Sequence, residues 1–99
     1  MTLAILLSYP ARADLVAIWR HTAENWGRVQ ARAYLSGIDG FLATLADFPD
    51  MGRERRDIHP PVRLHPYRSH LVIYRADGLV LDVLRVVHNR SDWRALLSD

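Results

Sequence analysis

The stretch Leu79-Val80-Leu81-Asp82-Val83-Leu84-Arg85-Val86-Val87-His88 decides the fold. It is rich in β-branched residues and reads as a strand. A period of two puts Leu79, Leu81, Val83, Arg85 and Val87 on one face and Val80, Asp82, Leu84, Val86 and His88 on the other. Both faces are mostly apolar, so neither can simply meet water, and a central position in the sheet follows. Arg85 and His88 lie near its end, and Asn89-Arg90-Ser91-Asp92 then turns the chain off the sheet. Fixed polar groups at the end of a rigid strand are a place where function can be built. Strands also end this way in proteins with no site there.

Working outward, Asp77-Gly78 is a hairpin signal of the two-residue type, which needs positive φ at both central positions. It pairs His70–Ala76 antiparallel with Leu79–Val87. Val62–Leu64 supplies the strand before them, and Pro66 limits its place in the sheet. Downstream, Ser91 is positioned to cap a short helix, Asp92–Leu97, with Trp93, Leu96 and Leu97 on its apolar side. Pro49–Pro61 holds three arginines and three acids among proline and glycine, without periodicity, and reads as a loop.

The first half is helical. Thr2–Tyr9 is a short apolar strand closed by Pro10, and its poor alternation implies cover on both faces. In Arg12–Trp26, residues Leu15, Ile18, Trp19, Thr22 and Trp26 form one helical stripe, which places both tryptophans in the core. Asp14 is expected in the first turn, where the macrodipole favours an acid. Gly27 stops the helix. Arg28–Phe48 resumes the pattern, with Tyr34, Ile38, Phe41, Leu42 and Leu45 as its stripe. Gly37 and Gly40 cost about 1 kcal/mol each relative to alanine, or let the first helix approach. A one-residue connection makes the two helices an antiparallel hairpin. Neither can bury its stripe on the other alone, so both must lie on a sheet. The expected fold is α+β: an N-terminal strand, a helical hairpin packed on a three-stranded antiparallel meander, and a short C-terminal helix.

Composition narrows the classes. Ninety-nine residues make one domain spanning 1–99, and an apolar fraction of 49% argues against disorder. No cysteine is present, so disulfides and thiolate metal sites are ruled out. The apolar N-terminal run is too short for a signal peptide or membrane span, so a soluble cytoplasmic protein is expected. All thirteen basic residues are arginine. A GC-rich genome is one explanation; the suitability of the guanidinium fork for carboxylate and phosphate is the other. Arg53–Arg94 carries nine arginines and four histidines against five acids, so the second half is the basic half.

Elimination leaves little conventional chemistry. There is no glycine-rich phosphate loop, no nucleophile elbow, and no histidine pair at metal-binding helical spacing. No metal or cofactor is therefore expected. What remains is Arg63, Arg68, Arg75, Arg85 and Arg90, with His88, Tyr67 and Tyr74, on or near the meander. Such a set suits a polyanion, although solvated strand ends would look the same.

These residues resemble a family. Asp14-Leu15 with Ile18-Trp19, Ala23-Glu24-Asn25-Trp26-Gly27, Phe48-Pro49-Asp50-Met51-Gly52-Arg53, Val62-Arg63, Tyr67-Arg68, His70 to Arg75 and Leu84 to Trp93 are similar, in order, to the ParE-type toxins of the RelE/ParE superfamily. Asn89 stands where such chains often carry glycine. The resemblance implies the toxin of a type II toxin–antitoxin system that inhibits DNA gyrase. It further implies neutralisation by a ParD-like antitoxin in a toxin–antitoxin hetero-oligomer. It leans away from an enzyme. The alternatives are a RelE-like ribosome-dependent mRNA endonuclease, or an inactive binding module of the same fold. As a nuclease it would use His88 as base or acid, with Arg85, Arg63 and Arg68 as cations. As a gyrase inhibitor it would meet its target through Arg85, His88, Arg90 and Trp93. Arg12, Arg20, Arg28 and Arg32 lie off the helical stripes and would meet acids of the antitoxin. Antitoxin docking would use a groove between hairpin and sheet, or an exposed strand edge.

Overall fold

The computed structural model describes residues 2–97. The chain runs β1 (Ala4–Leu7), α1 (Tyr9–Trp26), α2 (Arg28–Asp47), a 3-10 turn (Pro49–Met51), β2 (Arg53–Arg55), β3 (Val62–Tyr67), β4 (His70–Ala76), β5 (Val80–His88) and α3 (Trp93–Leu97). The five strands lie in the order β1-β5-β4-β3-β2, so β5 is interior as expected. The sheet has one strand more than the sequence leads one to expect. Arg53–Arg55, within the segment that reads as a loop, pairs antiparallel with Val62–Leu64. Three residues on a sheet edge are too few to show a period of two.

The strict alternation expected of β5 is broken. Its ladder with β4 shifts register so that Ile73 faces Arg85 and Tyr74 faces Val83, leaving Leu84 as a bulge. Leu81, Val83 and Val86 therefore share the face covered by α1 and α2, with Val72 and Tyr74 of β4. Leu84 and Val87 join Ile73 and Val62 on the opposite face, under Trp93, Leu96 and Leu97 of α3. The start of α1 satisfies the backbone groups around the bulge. Ser8 Oγ donates to the Leu84 carbonyl at 2.6 Å and accepts from Ala11 N–H at 3.0 Å, which also caps the helix. Asp14 accepts from Val86 N–H at 2.9 Å and grips the Arg85 fork through two contacts of 2.8 Å. Asp14 thus lies beyond the first turn and serves the sheet, not the helix dipole.

Other expectations are corrected on physical grounds. β1 pairs parallel with β5 through Ala4–Leu7 but is a sheet edge, with Ile5 and Leu6 exposed rather than covered on both faces. Ile18 is buried on α1, but Trp19 and Trp26 are 39% and 74% exposed and do not belong to the core. Ile38, Leu42 and Leu45 of α2 are buried as expected, joined by the small Ala31 and Ala46 that the stripe leaves out. Gly27 takes φ 92° between the helices, a conformation that only glycine adopts freely. Gly37 makes room for the Tyr67 hydroxyl, not for α1, while nothing lies within 4 Å of Gly40's missing Cβ.

The turns also differ. Neither Asp77 nor Gly78 has positive φ; the Asp77 carboxylate instead accepts from Leu79 and Val80 N–H at 2.7 and 2.8 Å. Those backbone donors hold its carboxyl below the usual range. The two-residue hairpin is Arg68-Ser69, between Tyr67 and its partner His70, with Arg68 at φ 51°. Asp92, not Ser91, caps α3, accepting from Ala95 N–H at 3.4 Å, while Ser91 Oγ donates to the His88 carbonyl.

Candidate functional site

Register brings two histidines together at one end of the sheet. His70 opens β4 and His88 closes β5, and they are direct partners in the ladder. Their rings meet edge to face with centroids 5.7 Å apart. Asn89 N–H donates to the Ser69 carbonyl at 2.9 Å, which ties the turn after β5 to the Arg68-Ser69 hairpin. From α2, Tyr34 Oη lies 2.6 Å from His70 Nδ1. The end of α1 contributes His21, Thr22 and Trp26, closing a cleft of about 350 Å³ with Gln30, Tyr34, Ser69, His70 and His88.

The electrostatics of this cleft are cationic or neutral. Arg90 N–H donates to His88 Nδ1 at 3.1 Å, so neutral His88 keeps its proton on Nε2. His70 is pushed below the ordinary histidine range, first by burial and then by the neighbouring His88 and His21; Asp14 opposes this. A depressed folded value means that the unfolded chain takes up this proton first as pH falls below about 6.5. The stability tied to neutral His70 is present above that pH and is lost as pH falls through the folded value. Urea unfolding followed through this window should show stability declining with acidification, with a shallower slope in His70→Gln.

The residues expected at a site are dispersed. Arg85, three residues before His88 on a regular stretch of β5, lies on the opposite face from it: its fork is held by Asp14, and it also donates to the Leu96 carbonyl at 3.0 Å. Arg63 donates to the Gly52 carbonyl at 2.8 Å and pairs with Asp50 at 3.3 Å. Trp93 is half-buried between the guanidinium groups of Arg55 and Arg94, 5.1 and 5.2 Å from its ring. Asp57 in turn binds both arginines. Arg68 lies 5.8 Å from the Tyr67 ring, and Arg90 is exposed in the turn after β5. Arg12 and Arg20 are exposed on α1, and Arg28 and Arg32 on α2. The structure thus joins His88 to His70, Tyr34, His21 and Trp26, residues that the sequence pattern scatters or assigns to the core. Among the described residues, no three His, Cys, Asp or Glu side chains are placed to hold a metal ion, and no helix is long and apolar enough to cross a membrane.

The family described as "ParE toxin of type II toxin-antitoxin system, parDE" matches residues 5–93. The chain belongs to the ParE family. It is 38% identical over 93 residues to Toxin ParE1 of Mycobacterium tuberculosis, covering 93% of this chain and 95% of that one. Toxin ParE1 of Caulobacter vibrioides is 33% identical over 91 residues, covering 92% and 94%. Toxin ParE of Escherichia coli is 31% identical over 98 residues, covering 97% and 94%. A solved structure, "Chromosomal ParDE TA system from P. aeruginosa", superposes with a TM-score of 0.75 at 22% identity, covering 88% of this chain and 96% of that one, which shows the shared fold. This ParE member is therefore the toxin of a type II toxin–antitoxin system, and membership implies a cognate antitoxin.

Proposed function

We propose that this ParE toxin arrests growth by binding DNA gyrase, without catalysing a reaction itself, and that a ParD-type antitoxin neutralises it. The observation that carries this reading is the position of Arg85. The nuclease reading of the sequence needs Arg85 and Arg63 beside His88 at one phosphate. Here Arg85 is bound by Asp14 on the far face from His88, and Arg63 is engaged with Asp50 and Gly52. His88 and Arg90 are exposed at the strand end and are the target contacts of this reading; Arg85 and Trp93 are engaged on the other face and drop out of it. Induction in cells should give a DNA-damage response with intact messengers. Codon-positioned messenger cleavage would contradict the proposal and support the ribosomal reading. His88→Ala with Arg90→Ala should reduce growth arrest at least tenfold while antitoxin binding persists. Full arrest by that variant would place the target surface elsewhere.

The antitoxin surface follows from α1. Arg12 and Arg20 are exposed with Val16 and Trp19 between them. Arg28 and Arg32 extend the positive face onto α2. Mixed apolar and basic side chains suit an acidic amphipathic segment that folds on binding. Besides the cleft between the hairpin and the sheet end, a second hollow of about 290 Å³ lies beside α3, where Ile58, Leu84, Leu96 and Leu97 stand next to Arg75 and Arg85. Reversing the charge at Arg12, Arg20, Arg28 and Arg32 together should weaken the complex at least tenfold by calorimetry. An unchanged affinity would remove the helical face from the interface.

A further inference from the structure

We propose that the cleft at the end of the helical hairpin binds a nucleotide unit of single-stranded nucleic acid. The inference goes beyond the gyrase reading and does not depend on it. Its walls are aromatic: Trp26, Tyr34, His21, His70 and His88 all line it. Trp26 is 74% exposed, a large ring held at the helix end with most of its surface unpacked. A flat exposed indole beside imidazoles is a stacking platform, and every base offers it a π-face. Among the described residues, no carboxylate lines this cleft. The polar groups that do line it can donate hydrogen bonds: neutral His88 has its Nε2 proton, and Ser69 and Gln30 contribute hydroxyl and amide groups. The backbone bond from Asn89 to Ser69 holds the turns bearing Arg68 and Arg90 side by side at the same end of the sheet. These two arginines, close in sequence to lining residues but outside the lining itself, supply positive charge for the backbone phosphates of a strand. The left-handed φ of Arg68 means that this hairpin keeps an arginine where glycine would be less strained, which fits a side chain retained for contact. A base within a duplex has both faces stacked on its neighbours, so only an unstacked base can use this platform.

The test uses the full chain without gyrase, so its failure is separate from failure of the gyrase reading. A fluorescein-labelled thymidine oligonucleotide of about a dozen nucleotides is titrated and read by anisotropy. The proposal expects binding that weakens at least about fivefold in Trp26→Ser, the loss of one stacked base. Val29→Ser, at an exposed position outside the cleft, should bind like the parent. Imidazole resonances of His21, His70 and His88 should shift on titration, which gives a readout should the Trp26 variant fold poorly. Deoxythymidine monophosphate, added as a competitor, identifies the source: equal affinity per site points to a free nucleotide, and much weaker competition points to a strand. Either supports the shared chemistry. Preference for duplex, binding unchanged by Trp26→Ser, or no binding with unmoved histidine resonances would each overturn it.

Discussion

Asp14→Ala is expected to lower the unfolding free energy by about 3–5 kcal/mol, the range for removing one partner of a largely buried ion pair. The side chains of Arg85 and Asp14 are only 19% and 14% exposed, so solvent screens the pair little. The loss has two parts. Arg85 is left without its paired carboxylate against the sheet, and Val86 N–H loses its acceptor next to the Leu84 bulge. Arg85→Ala should cost a similar amount, and the double variant less than the sum of the two. Urea denaturation of the three variants checks this. A loss below about 1 kcal/mol, typical of a surface pair, would mean that the bulge does not depend on Asp14.

Gly52→Ala is expected to cost about 2–3 kcal/mol by overpacking. A Cβ at this position would lie 2.5 Å from the Tyr74 hydroxyl and 2.8 Å from a ring carbon. Tyr74 is completely buried and cannot swing aside. Its hydroxyl donates to the Pro49 carbonyl at 2.7 Å and accepts from Gly52 N–H at 2.9 Å, holding the turn after α2 against the sheet. Tyr74→Phe, which strands those two backbone groups, should cost about 1–3 kcal/mol. Combining the two changes should recover part of the loss, because removing the hydroxyl relieves the closest contact and leaves the ring contacts in place. Thermal denaturation of the set decides; full additivity would contradict the steric account.

The two helices, the interior position of β5 and the α+β class were legible in the sequence because they rest on periodicity over many residues. The site was not, because it rests on one-residue details of register. A two-residue turn at Asp77-Gly78 pairs Ala76 with Leu79, which puts Arg85 opposite His70. The Asp77 carboxylate closes a longer turn instead, pairing Ala76 with Leu81, and the Leu84 bulge adds a further step. Together these bring His88 to His70 and send Arg85 to the other face. No local composition signals either event. The tryptophans of α1 misled for a related reason. Their spacing matched the stripe, but Trp19 is partly exposed and Trp26, the last residue of α1 before Gly27, is largely so, and spacing alone does not tell a covered turn from an uncovered one. Trp93 follows the strand end in sequence, which suggests a place beside His88, yet α3 folds it under Arg55 and Arg94.

The measurement that bears most directly on the account is DNA supercoiling by purified gyrase in the presence of purified toxin, with linear DNA scored as the trapped cleavage product. The account predicts that supercoiling is lost and linear DNA accumulates in proportion to toxin, and that antitoxin added beforehand prevents both. Undisturbed supercoiling at toxin in excess over gyrase, with no linear product, would contradict it.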